Sequence, residues 1–162
     1  MTVTLAFYKG RGNTAFQRFQ NGLIRSVTGG IYSHVELISG AALPGHCSMC
    51  LSASGRDGGV RQKRILLTAE SWDLVLLPMD AEAPCQFIRD HLGARYDYAG
   101  LMLSQVLAFG RHNPDQWFCS EICAAALGLP NPQRVSPQFL FDVVTWGNRK
   151  VPALGSDCVR ST

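Results

Sequence analysis

The chain has 162 residues, of which 46% are hydrophobic and 17% are charged, and its formal net charge is +3. This length and composition suit one globular domain that can bury a proper core. Lys and Arg are scattered, which argues against a nucleic-acid partner, and no run of about twenty apolar residues could span a membrane.

The N-terminal residues lack the basic lead and apolar core of a secretory signal and predict a strand instead. We therefore expect a cytoplasmic protein. Six cysteines are present, and in a reducing compartment a chain of this size needs no disulfides, so free thiols are the expected state.

The first half of the chain predicts five strands and one helix. Alternating apolar residues mark a strand over 2–8, and helical spacing follows over 15–27, ended by the two glycines at 29 and 30. Further strands are predicted over 31–38, 49–53, 59–67 and 72–79, with turn chemistry at 55–59.

The second half is mainly helical. Helices are predicted over 83–92, with Gly93 as a C-terminal cap, and from Asp97 through 107. Residues 116–119 predict a short extended approach to a helix over 120–127. Ser136 and Pro137 start a last helix, whose apolar side is predicted from Leu140, Phe141, Val144 and Trp146. The whole chain, 1–162, predicts one mixed α and β domain with a loosely held tail at 150–162.

Cys119 lies where an extended stretch turns into a helix of small residues. A helix N-terminus stabilises a thiolate, and its free NH groups can hold an oxyanion. Cys119 is therefore a candidate nucleophile. The alternative is an inert buried cysteine, which is the natural interpretation of Cys123 one turn later.

His34 is the candidate base among four histidines. On the predicted strand 31–38, His34, Glu36 and Ile38 share one face, and the roots of His34 and Glu36 lie about 6.5 to 7 Å apart. A His and a Glu beside an Ile are unusual on a core strand, which favours a functional pair. The alternative is a strand edge with two solvated polar groups. Loop or surface roles are expected for His46, His91 and His112.

Two other patterns carry weaker signals. Cys47 and Cys50 have CxxC spacing, but no second ligand pair for zinc is present, and they do not open a helix after a strand as redox pairs do. The basic stretch 61–64 lacks interleaved aromatic residues and is interpreted as a solvated strand face.

Five segments, in order along the chain, resemble the circularly permuted NlpC-like proteins of the papain-like superfamily. That group includes YiiX-like proteins, small phage- and prophage-encoded proteins and, more distantly, lecithin:retinol acyltransferase. The segments are Tyr32-Ser-His-Val-Glu-Leu37, residues 51–60, Arg95-Tyr-Asp-Tyr98, Trp117-Phe-Cys-Ser-Glu121 and Ser136-Pro137.

The resemblance implies an α+β, permuted papain-like fold with a central, mostly antiparallel sheet packed against helices and the His strand preceding the Cys helix. It implies that His34 and Cys119 act as base and nucleophile on a peptide or acyl-amide substrate, without metal or cofactor. Relatives often carry the third catalytic residue on the strand after the His strand, where this chain has no carboxylate. Ser52, Glu36 and His46 are the alternatives, and Glu36 is favoured because a carboxylate best stabilises an imidazolium.

By the same resemblance, five residues are expected to line the substrate site: Tyr32, Tyr96, Tyr98, Trp117 and Ser120. The implied function is a thiol hydrolase, a peptidase or amidase whose substrates include cell-wall peptides. Two alternatives stay open, an acyltransferase or lipid-directed hydrolase and a non-catalytic protein associated with a phage particle.

Overall fold

The computed structural model of the chain describes residues 2–10, 12, 14–96 and 116–149. The predicted helix over 97–107, Tyr98, His112 and the predicted tail lie outside these residues. No helix in the described part of the chain is long and apolar enough to cross a membrane.

The described residues form an α+β fold built on a curled, mixed sheet of seven strands in the order β5-β1-β2-β3-β4-β6-β7. Neighbouring strands are antiparallel except β6 and β7, which are parallel. The strands are β1 (Val3–Tyr8), β2 (His34–Ser39), β3 (Cys47–Ser54), β4 (Gly59–Leu66), β5 (Trp72–Leu77), β6 (Arg95–Tyr96) and β7 (Gln116–Trp117).

Four helices are present among the described residues: α1 (Ala15–Thr28), α2 (Glu82–Asp90), α3 (Cys119–Ala126) and α4 (Pro137–Arg149). The caps follow the sequence signals. Gly93 has a φ of +87° after α2, and the Ser136 hydroxyl accepts a hydrogen bond from the Phe139 N–H at 3.1 Å at the start of α4.

Two apolar clusters lie on the two faces of the sheet. The larger includes Val35 and Leu37 and packs α2, α3 and α4 against the sheet. The smaller includes Ile38 and Trp72. Because Val35 and Leu37 belong to one cluster and Ile38 to the other, the predicted alternation along β2 is confirmed.

Gly59 allows β4 to pair with β6, the strand that connects this sheet to α3 through β7. A Cβ at this position would collide with the Ala94 carbonyl, which accepts a hydrogen bond from the Val60 N–H at 2.8 Å. The absence of a side chain therefore lets β6 pair with β4. β6 pairs in turn with β7, which leads directly into α3.

The predicted elements within the described residues are confirmed to within a few residues at each end, with two corrections. The second strand begins at His34 rather than Ile31, because residues 29–33 turn the chain from α1 into β2 and leave Ile31 exposed. Trp146 was expected on the apolar side of α4, but its side chain is exposed, whereas Leu140 and Val144 are buried.

Candidate functional site

Cys119 is the first residue of α3. Phe118 before it is extended, with φ −109° and ψ 166°, and the first intrahelical hydrogen bond runs from the Ile122 N–H to the Phe118 carbonyl at 3.1 Å. The backbone amides of the first turn precede that bond, so the positive end of the helix dipole lies beside the Cys119 sulfur. This setting supplies NH groups for an oxyanion next to the sulfur.

His34 lies at the start of β2 and contacts both of its expected partners. Its Nε2 lies 2.7 Å from Glu36 Oε1, and its ring also interacts with the Cys119 side chain through a hydrogen bond and through charge. Because Nε2 is engaged with Glu36, Nδ1 is the nitrogen left for the thiol. The ring has an edge contact with Trp72 of the smaller cluster, whereas Cys119 belongs to the larger one. The site is therefore at the junction of the two clusters.

Glu36 is fully buried and is held by Arg61, which sequence reasoning assigned to solvent. Arg61 Nη1 donates to Glu36 Oε2 at 2.7 Å, and Nη2 donates to Oε1. A buried carboxylate without such a partner would be costly, and a bidentate guanidinium is the strongest partner a side chain offers. Arg61 comes beside the site through the register of β3 and β4, in which it pairs with Ser52, and no local sequence pattern signals this.

The charges of the site stabilise one another. Burial alone would lower the pKa of His34, but the negative charges of Cys119 and Glu36 outweigh it and raise this pKa to about 9. Burial acts to raise the pKa of Glu36, yet the hydrogen bonds from Arg61 and the charge of His34 bring it below its ordinary value. A charged imidazolium held beside an ionised Glu36 carboxylate is thus the favoured state of this pair at neutral pH.

Strands β2 and β3 diverge beside the site. Their backbone pairing covers Ile38 with Cys50 and Leu37 with Leu51 and then stops. Beyond that point the Ser52 hydroxyl donates to the Val35 carbonyl at 2.7 Å, and it also hydrogen-bonds the Cys123 thiol. The Ser52 hydroxyl thus replaces a backbone hydrogen bond between β2 and β3 where the two strands separate. Its hydrogen-bond partners are the Val35 carbonyl and the Cys123 thiol, not His34.

His46 lies far from the other candidates. It precedes β3 at the end opposite Ser52, and six residues of strand span roughly 20 Å. Its ring is exposed, with Nδ1 3.1 Å from the Pro44 carbonyl oxygen. The structure therefore brings Glu36 to His34 and leaves His46 outside the cluster.

The residues expected to line a substrate site are mostly buried. The Tyr32 hydroxyl donates to Asp73 Oδ2 at 2.7 Å, and the Ser120 hydroxyl donates to the Val135 carbonyl at 2.6 Å, which ties α3 to the segment before α4. Trp117 packs edge-on against Phe87 and His91. Tyr96, on β6, is half-buried.

The CxxC pair cannot chelate through both sulfurs. Cys47 and Cys50 are three positions apart on β3, so their side chains point to opposite faces, one exposed and one buried. Burial, together with the nearby charge of Glu36, raises the pKa of Cys50 to about 12. In the described part of the chain, no three His, Cys, Asp or Glu side chains converge in a group that could hold a metal ion.

Comparison with known proteins assigns no family to the chain. No protein-family model matches it, and no curated protein sequence matches it.

Proposed function

We propose that this protein is a thiol hydrolase that cleaves an amide or ester bond, with Cys119 as nucleophile, His34 as general base and acid, and Glu36 as the third residue. The observation that carries the proposal is the continuous contact from Cys119 through His34 to Glu36. These three roles each need a different residue type, and the chain brings all three together from two separate elements.

The chemistry follows from the charges. The Cys119 thiolate attacks the substrate carbonyl carbon, the oxygen takes up negative charge beside the amides at the start of α3, and the carbon–nitrogen or carbon–oxygen bond breaks. His34 gives its proton to the leaving group. Neutral His34 then takes a proton from water, the hydroxide attacks the thioester, and the carbon–sulfur bond breaks to release the acid and restore Cys119.

Glu36 can serve as the third catalytic residue, which relatives of the resembled family often carry as a carboxylate on the strand that corresponds to β3 and which β3 lacks here. Its carboxylate is supplied from the His strand itself, two positions after His34. This supports a working site over the non-catalytic alternative. The order of His strand before Cys helix and the mostly antiparallel sheet are compatible with a permuted papain-like fold. Within the proposal, the phage-protein resemblance favours cell-wall peptides as substrates.

Acyl-enzyme formation tests the proposal. The protein is mixed with a small activated ester such as p-nitrophenyl acetate, quenched in acid, and mapped by mass spectrometry. We expect a rapid burst of nitrophenol and an acetyl group on Cys119 that is lost on further incubation. Cys119→Ser should abolish the burst, and Cys47→Ser, which removes an exposed thiol, should retain it. Acetylation only of Cys47 or of lysines would overturn the proposal.

A further inference from the structure

Arg61 is not one of the three residues proposed to act in the reaction, yet all three of its guanidinium nitrogens donate hydrogen bonds to carboxylates at or beside the site. Nη1 and Nη2 donate to the two oxygens of Glu36, and Nε donates to Asp57 Oδ2 at 3.0 Å. A planar guanidinium held on two edges has a fixed orientation. The carboxylate that it grips is therefore fixed as well.

The route by which Arg61 reaches the site is set by strand register. Arg61 on β4 pairs with Ser52 on β3, and Glu36 lies on β2 beyond it, so the Arg61 side chain extends across β3. A small residue at 52 leaves room for this crossing. The outer end is anchored by Asp57 in the turn between β3 and β4, and Asp57 is itself held by Lys63 Nζ at 2.8 Å.

Glu36 depends on Arg61 for compensation of its charge. Among the described residues, the other titratable groups beside it include His34, on its own strand, and the thiols of Cys50 and Cys123. Burial raises the pKa of both thiols, so they carry no charge at neutral pH. Among the described groups around Glu36, Arg61 is thus the permanent cation.

We infer that Arg61 is a positioning residue for the hydrolase, holding Glu36 as a carboxylate aimed at His34 so that the Cys119–His34 ion pair persists at neutral and mildly acid pH. The inference rests on the proposed function, and Arg61 acts through Glu36 without touching the reacting atoms. Asp57 extends this support by fixing the outer edge of the guanidinium.

The test compares pH profiles of Cys119 alkylation by iodoacetamide in the wild type, Arg61→Met and Arg61→Lys. Without the guanidinium, buried Glu36 takes up a proton, the imidazolium loses its partner, and less Cys119 is thiolate. The acid limb of the profile is the pH range in which the alkylation rate falls as the pH is lowered. We expect Arg61→Met to shift this limb to higher pH by at least one unit, which makes alkylation roughly tenfold slower at a given pH on the limb. Arg61→Lys keeps the charge but loses the paired hydrogen bonds, so it should fall between the two.

Arg64→Met is the matched control, because Arg64 is exposed on the same strand, and its profile should equal that of the wild type. If Arg61→Met does not fold, Asp57→Asn and Arg61→Lys are decisive, and both should move the limb in the same direction by a smaller amount. An acid limb in the wild type that none of these variants moves would overturn the inference and leave the hydrolase proposal standing. A wild-type Cys119 that reacts only as an ordinary thiol does, losing rate below about pH 8.5, would contradict both proposals.

Discussion

His34 Nε2 and Glu36 Oε1 lie 2.7 Å apart, and the two residues are separated by a single residue on β2. Side chains two apart on a strand share a face, with roots about 6.5 to 7 Å apart, so the two groups lean towards each other to meet. The ring of His34 is therefore oriented by its own strand. The thiol is brought to the other side of the ring by the packing of α3.

Replacing Glu36 by Gln should slow the reaction of Cys119 with iodoacetamide on the acid side of its profile by roughly tenfold for each unit by which the pKa of His34 falls. The amide still reaches His34 but carries no charge, and Arg61 loses its anionic partner. The measurement is the alkylation rate by mass spectrometry at about pH 6, with thermal unfolding to verify folding.

Glu70→Gln removes an exposed carboxylate and serves as the control. Its rate should match that of the wild type. Equal rates in Glu36→Gln and Glu70→Gln would remove Glu36 from the catalytic group.

The pH dependence of stability should reflect the same charges. The pKa of His34 is about 9 in the folded chain against an ordinary value of 6.5, so its contribution is complete below pH 6.5 and is lost as the pH rises through 9. Glu36 has the opposite sign, since its pKa is lowered from 4.5, and its contribution is lost as the pH falls through its folded pKa. Both contributions are present together between pH 4.5 and pH 6.5, the ordinary pKa values of Glu36 and His34, so the free energy of unfolding should be greatest in that range.

Urea unfolding at about pH 6 and at about pH 9 measures the His34 contribution, which is at most roughly 3 kcal/mol. His34→Gln should lose less stability over this interval than the wild type. Parallel losses in the two proteins would show that His34 carries no raised pKa in the folded chain.

Ser52→Ala separates a structural role of Ser52 from a catalytic one. The hydroxyl is buried and satisfies the Val35 carbonyl at 2.7 Å, so its removal should cost about 1 to 3 kcal/mol of unfolding free energy. The alkylation profile of Cys119 should keep its shape, because His34 and Glu36 retain their contact. Ser48→Ala, at a half-exposed position on the same strand, should change neither quantity.

A selective loss of the acid limb in Ser52→Ala at unchanged stability would instead make Ser52 the third residue. Denaturant unfolding and the alkylation profile distinguish the two results.

The local signals in the sequence predicted the elements that present Cys119, His34 and Glu36. Alternation fixed the shared face of His34 and Glu36, and the change from extended to helical backbone fixed the start of α3 near Cys119. Both depend on residues close together in the chain, which is why a sequence pattern suffices for them.

Arg61 could not be predicted in the same way. Its role depends on β4 lying two strands from β2 and on the register that sets Arg61 beside Ser52, and neither is recorded in the local pattern. A charged residue on a strand usually faces solvent, so the local pattern predicts a surface position for the whole basic stretch. Trp146 was misplaced for a related reason, since the helical period identifies an apolar side without fixing how much of it a neighbour covers.

The most direct test of the central claim is the pH profile of Cys119 alkylation with and without His34. Iodoacetamide is suitable because it is small and Cys119 is only 2% exposed, and Cys47→Ser removes from both proteins the thiol that is exposed among the described cysteines. With His34 present, Cys119 should react well below pH 8, and His34→Ala should react only as an ordinary thiol does, near pH 8.5. Identical profiles in the two proteins, each fully folded by circular dichroism, would contradict the account.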